Sequence, residues 1–136
     1  MPIINVVISR HPDPALSQRL ATKVTELTKV HLRKDPTLTA VAVSHIDPQH
    51  WFAGGTSLAS QGRHTFWLDI KVVDGTNTKQ ELASYQEAVF AGMSELLGDV
   101  HPESYILVHE VPAAAYGFGG QTQEFRFIAG KLKAAA

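Results

Sequence analysis

The chain has 136 residues, 44% of them hydrophobic and 18% charged, a balance suited to one domain on one core and unlike that of a disordered segment. Twelve basic and thirteen acidic side chains give a formal net charge of −1, with Lys and Arg scattered, so nucleic acid or an anionic membrane finds no electrostatic footprint. Cysteine is absent, which excludes a disulfide frame, a thiolate nucleophile and a Cys-type metal site, and no apolar run approaches the roughly 18 residues that span a bilayer.

The chain opens Met1-Pro2-Ile3-Ile4-Asn5-Val6-Val7-Ile8, and residues 2–9 read as a buried strand. No basic region or small-residue cleavage site marks a signal peptide, so the expected location is cytoplasmic. Bacterial processing usually removes Met before proline, and Pro2 would then carry a free secondary amine. An α-amino group titrates near roughly 7.7–8.0, and burial disfavours its charged form. Such an amine is a ready general base or carbonyl nucleophile. The plain alternative is that Pro2 only starts a strand, where proline costs no ladder bond.

Asp13 is placed as the N-cap of a helix with Pro14 at its first position. Leu16, Leu20, Val24, Leu27 and His31 keep one face apolar through about residue 32. Leu38 to Ile46 is a second strand, and Gln49 to Gly55 a loop carrying His50, Trp51 and Phe52. Thr65 to Val73 alternates, with Phe66, Leu68, Ile70 and Val72 on one face and Trp67, Asp69 and Lys71 on the other. After the turn Asp74 to Asn77, with Thr76 or Asn77 as cap, Leu82, Tyr85, Val89, Met93 and Leu96 form the stripe of a second helix ending at Gly98-Asp99. Tyr105 to Val111 is a fourth strand, Ala113 to Gly120 a loop, and Gln121 to Ile128 reads as a short extra strand. The tail from Gly130 has little to pack and is expected to fray.

The two halves repeat each other. Trp51-Phe52-Ala53-Gly54-Gly55 matches Tyr116-Gly117-Phe118-Gly119-Gly120 at an offset of 65 residues, and Asn5 pairs with Asp69 at nearly the same offset. The chain is thus expected to be a single α+β domain of tandem β-α-β units, about residues 2–60 and 64–128. Each unit's crossover implies parallel pairing within it. The product is a four-stranded sheet with two helices on one face. Its other face is bare and apolar, so oligomerisation is expected to bury it. A ferredoxin-like domain with an antiparallel sheet is the competing architecture.

At this point the chain resembles the tautomerase superfamily, whose small members include 4-oxalocrotonate tautomerase. The resemblance covers nearly all of residues 2–128. It is carried by Pro2 before an apolar strand, a helix of matching length, Thr37-Leu38-Thr39-Ala40-Val41, and the stretch His50 to Ser60. It implies a fused two-unit member, a homotrimer with sheets facing inward, and the amino-terminal proline as base or Schiff-base nucleophile. The activity implied is cofactor-independent tautomerisation of a small enol or 2-oxo acid. A non-catalytic trimeric small-ligand or interaction protein on the same scaffold is the alternative.

Carried over residue by residue, the pattern is incomplete. Trp51 falls where the family has a pocket aromatic, and Tyr116 is its counterpart; both could equally fill an interface. Ala42 and Tyr105 stand where the family's second-strand arginine would be, which suits a less anionic substrate. Arg10 lies near the arginine after the first strand, with Pro12 aligned to it. Phe66 replaces proline in the second unit, so one site per chain is expected. Leu107 and Ala115 stand in place of the water-activating Tyr and Glu of the dehalogenase branch, which argues against that chemistry. Lys71, Arg10, Arg126 and Tyr105 are the candidates to stabilise an enolate, although a strand lysine or edge-strand arginine often serves solubility alone. His31 reads as a core or interface histidine, and the seven histidines lack zinc spacing, so no metal is expected.

Overall fold

The computed structural model describes residues 2–136; the expected loss of Met1 falls on a residue outside these. Strand β1 (Ile3–Ile8) leads into helix α1 (Pro14–Leu32), then β2 (Ala40–His45). A hairpin of β3 (Phe52–Ala53) and β4 (Thr56–Ser57) and a one-turn helix α2 (Leu58–Gln61) follow. The second half repeats the order with β5 (Phe66–Val73), α3 (Lys79–Leu97), β6 (Tyr105–Val111), the hairpin of β7 (Gly117–Phe118) and β8 (Gln121–Thr122), and α4 (Gln123–Ala135).

The main sheet has the order β2-β1-β5-β6. Pairing is parallel within each half, β1 with β2 and β5 with β6, and antiparallel where β1 meets β5. Two β-α-β units thus join edge to edge around a pseudo-twofold axis, and the all-antiparallel ferredoxin-like sheet is excluded.

Helices α1 and α3 cover one face. Ile4, Val6 and Ile8 from β1 and Phe66, Leu68, Ile70 and Val72 from β5 are fully buried against Leu20 and Val24 of α1 and Tyr85 and Val89 of α3. Each such side chain contributes on the order of 1.5–3 kcal/mol by leaving water. Asp13 caps α1 by accepting from the N–H groups of Ala15 and Leu16. Among the described residues no helix is long and apolar enough to cross a membrane.

Three sequence readings are corrected. The cap of α3 is Thr78, not Thr76 or Asn77, because Glu81 three residues on completes a reciprocal capping box with it. Gln121 to Ile128 is not a strand: Gln121–Thr122 closes the β7–β8 hairpin, and the Thr122 hydroxyl then accepts from Phe125 N–H and starts α4. The Phe125-Arg126-Phe127 alternation imitates a strand, but the cap decides. The tail from Gly130, where the residue order suggested no element, is helical, since α4 continues through it to Ala135.

The sheet face away from the helices is open. Ile3, Trp67, Tyr105 and Leu107 lie on it with 39%, 46%, 58% and 40% of their surface exposed.

Candidate active site

The topology makes two clefts at opposite ends of the sheet. The chain leaves β2 at the end where β5 and β6 begin, so the first hairpin stands over the start of the second unit. The second hairpin, leaving β6, stands over the start of the first. The resulting clefts are of nearly equal size, about 520 Å³ beside Trp51, Trp67 and Tyr105 and about 490 Å³ beside Pro2 and Tyr116. In both hairpins two consecutive glycines at positive φ, Gly54-Gly55 and Gly119-Gly120, form the loop. Such residues suit the tight turns whose twist matches the strands. Phe66, buried in the core, stands where the other unit has Pro2, so the cleft at Trp51 has no amine.

Pro2 is buried, and its carbonyl accepts from Ala40 N–H at 3.1 Å. One wall of its cleft is Thr37 to Ala40, the turn after α1. Asp35 organises that turn: its carboxylate accepts from Thr37 N–H at 2.9 Å and from the Thr37 hydroxyl at 2.7 Å, and its carbonyl accepts from the Thr39 hydroxyl at 2.8 Å. The Thr37 hydrogen bonds hold the Asp35 carboxyl below its ordinary value. The facing wall is Tyr116 to Phe118 of the second hairpin, with Gln123 from α4. Burial pushes the Tyr116 phenol up, so it stays protonated at neutral pH. Among the described residues no charged side chain lines this cleft.

The sequence-chosen residues therefore divide. Pro2 and Tyr116 share one cleft, while Trp51 and Tyr105 share the other, where the Tyr105 hydroxyl donates to Glu103 at 3.3 Å. Arg10 is eight residues along β1 from Pro2, roughly 26 Å at strand rise. There its guanidinium donates to Leu97 O at 2.6 Å and to His64 Nδ1 at 3.3 Å, tying the two units together. That burial and the nearby Arg10 charge hold the His64 ring below its ordinary pKa. Lys71 lies on the open sheet face, paired with Asp69 at 2.6 Å. Arg126 stands behind the Pro2 cleft on α4, its guanidinium 3.8 Å from the Phe118 ring centre and donating to Phe118 O at 2.9 Å.

Two elements of the cleft escaped the sequence reading, the Asp35–Thr37–Thr39 turn as a wall and Gln123. The second had a signal. Ser57 and Thr122, again 65 residues apart, both cap a helix directly after a Gly-Gly hairpin, so the first unit's pattern foretold α4.

No protein-family model matches the sequence, and no curated protein matches it significantly. Solved structures do match. The chain is similar to "R7 fused 4-OT wild type asymmetric trimer", at 11% identity and a TM-score of 0.80, over 92% of this chain and 98% of that one. It is similar to Pt0534 inactivated by 2-oxo-3-pentynoate, at 11% identity and 0.79, over 91% and 98%. A macrophage migration inhibitory factor from Toxoplasma gondii matches at 15% identity and 0.72, over 88% and 98%. At these identities the likeness speaks for the backbone, and there it extends over both units, the crossovers and the mixed sheet: the chain has the fold of the tautomerase superfamily in its fused, two-unit form.

Proposed function

We propose that the chain is a cofactor-independent tautomerase or isomerase of a small enol or 2-oxo acid, with Pro2 as general base once Met1 has been removed. The observation that carries this reading is the buried proline at the floor of a cleft closed by the opposite unit's hairpin. A secondary amine in such a place has its ammonium form disfavoured, which raises its neutral fraction and its competence as a base. It takes a proton from the substrate's enol hydroxyl or from the carbon beside the carbonyl. The electron pair moves through the conjugated system, and the prolinium returns the proton to a different carbon.

The substrate class has support from a similar structure, whose inactivator, 2-oxo-3-pentynoate, is a small 2-oxo acid with an electrophilic triple bond. The assembly proposed is a homotrimer, in line with the fused trimers of the same fold and with the open apolar sheet face.

Intact mass first establishes whether Met1 is gone. Ketonisation of 2-hydroxymuconate or of the phenylpyruvate enol is then followed for wild type and Pro2→Ala. General-base loss is expected to lower kcat/KM by roughly 10²–10⁴-fold. Incubation with 2-oxo-3-pentynoate is expected to add the inhibitor's whole mass to the amino-terminal peptide of wild type. Equal rates in the two proteins, or a retained Met1, would remove Pro2 from the chemistry and favour a non-catalytic small-ligand protein on this scaffold.

A further inference from the structure

The developing enolate oxygen needs a donor, and the Pro2 cleft has few to spare. Thr37 and Thr39 already give their hydroxyl hydrogens to Asp35. Gln123 is different. Only 7% of its surface is exposed, its Nε2 is shut off from solvent, and among the described residues that nitrogen has no acceptor. Buried amide donors are nearly always paired, since leaving one unmade is costly.

The backbone around this side chain is held without its help. Gln123 N–H donates to Tyr116 O at 3.0 Å, Glu124 N–H to Ala113 O at 3.1 Å, and Thr122 caps the helix. One helical turn on, Arg126 is clamped to Phe118, and its Nε is likewise buried without an acceptor. Of these two donors only Gln123 borders the Pro2 cleft, so its amide is the one left for an acceptor from outside the chain.

We propose that Gln123 is a substrate-binding residue: its terminal amide, which no side-chain hydrogen bond pins among the described residues, rotates to bring Nε2 out of its sealed position onto the carbonyl oxygen of the 2-oxo acid in the Pro2 cleft, and tightens on it as charge develops. The guanidinium of Arg126 stands behind the amide and adds positive field without entering the cleft. A neutral amide as the principal donor suits a monocarboxylic 2-oxo acid or its enol better than a dicarboxylate. This assignment rests on Pro2 being the base. It also makes the second unit a working part of the first unit's site, because Gln123 lies on the helix that follows the second hairpin.

The test uses Gln123→Met, which keeps length and loses the donor, and Gln123→Glu, which keeps shape and puts an acceptor in its place. Ketonisation of the phenylpyruvate enol is expected to lose about 10²–10³-fold in kcat/KM, mostly in kcat, with the glutamate variant lower than the methionine one. The melting temperature of Gln123→Met is expected to equal or exceed that of wild type, because an unpaired buried donor has been removed. A melting temperature that falls while kcat/KM holds marks a packing residue and overturns the proposal. To separate this from failure of the Pro2 reading, phenylpyruvate binding is measured by calorimetry in a Pro2→Ala background, with and without Gln123→Met. Weakening of about tenfold is expected there whatever group removes the proton, and unchanged affinity overturns the assignment of Gln123 alone.

Discussion

Arg33 ends α1 with φ of 59°, a left-handed conformation that costs a residue bearing Cβ about 1–2 kcal/mol. Its side chain there clamps two elements: Nε and Nη2 reach the two Glu81 carboxylate oxygens at 2.7 and 3.2 Å, and Nη2 also donates to Thr76 O. The same carboxylate accepts from Thr78 N–H in the capping box of α3, so one side chain joins the end of one helix to the start of the other. The Arg33 hydrogen bonds, helped by Thr78, lower the Glu81 pKa from 4.5 to about 2. Because the folded value is the lower one, the stability it confers is present above about pH 4.5 and is lost as pH falls toward 2. Glu81→Gln is therefore expected to melt below wild type at pH 7. Thermal scans from pH 7 to 2 should show that gap closing across this window, and a gap independent of pH would refute the linkage. The effect is modest, since the pair is on the surface.

At the scale of elements, the second hairpin decides whether the Pro2 cleft has a wall. At Gly117 a Cβ would overlap the Gln121 carbonyl across the hairpin, so no larger residue fits without opening it. Gly117→Ala is expected to cost about 1–3 kcal/mol, as forced overpacking does, and to weaken phenylpyruvate binding severalfold while leaving the helix-covered core intact. Calorimetric affinity together with far-ultraviolet dichroism checks this. A variant with native affinity would show that the hairpin is not needed to shape the cleft. The equivalent position of the first hairpin is Phe52, which is exposed beside Trp51, so the two hairpins share a turn but not a packing.

For the molecule as a whole, the open face of the sheet is an unbalanced feature. Trp67 and Leu107 stand on it beside the buried-side residues that alternate with them, and at their exposures they form an apolar surface uncommon on a monomer. The expected solution mass is about three times the 14.8 kDa of one chain. Trp67→Glu, which places a charge on the surface to be buried, is expected to shift the mass toward one chain. Light scattering after gel filtration reads both, and a wild-type mass of a single chain would refute the trimer. Arg10, Trp51 and Tyr105 lie away from the Pro2 cleft of their own chain, so any part they play there must come from a neighbouring copy, whereas Lys71 pairs across the sheet with Ile3 of that cleft's lining.

Much of this architecture was written in residue order. Hydrophobic alternation at period two placed β5 and its buried face, helical spacing and Asp13-Pro14 placed α1, and the 65-residue offset announced two units with parallel strands in each. These are local signals, and each acts over a few residues. The mistakes came where two local signals competed, as at Thr122, where a hydroxyl cap outweighed a three-residue alternation. The site is another matter. Nothing in the residue order says that Tyr116 and Gln123 stand over Pro2, or that Arg10 ends far from it. Those facts follow from β1 and β5 pairing antiparallel, which turns each unit's hairpin toward the other unit's first strand. A contact between residues more than a hundred positions apart is set by how the sheet closes, and only the tertiary structure decides that.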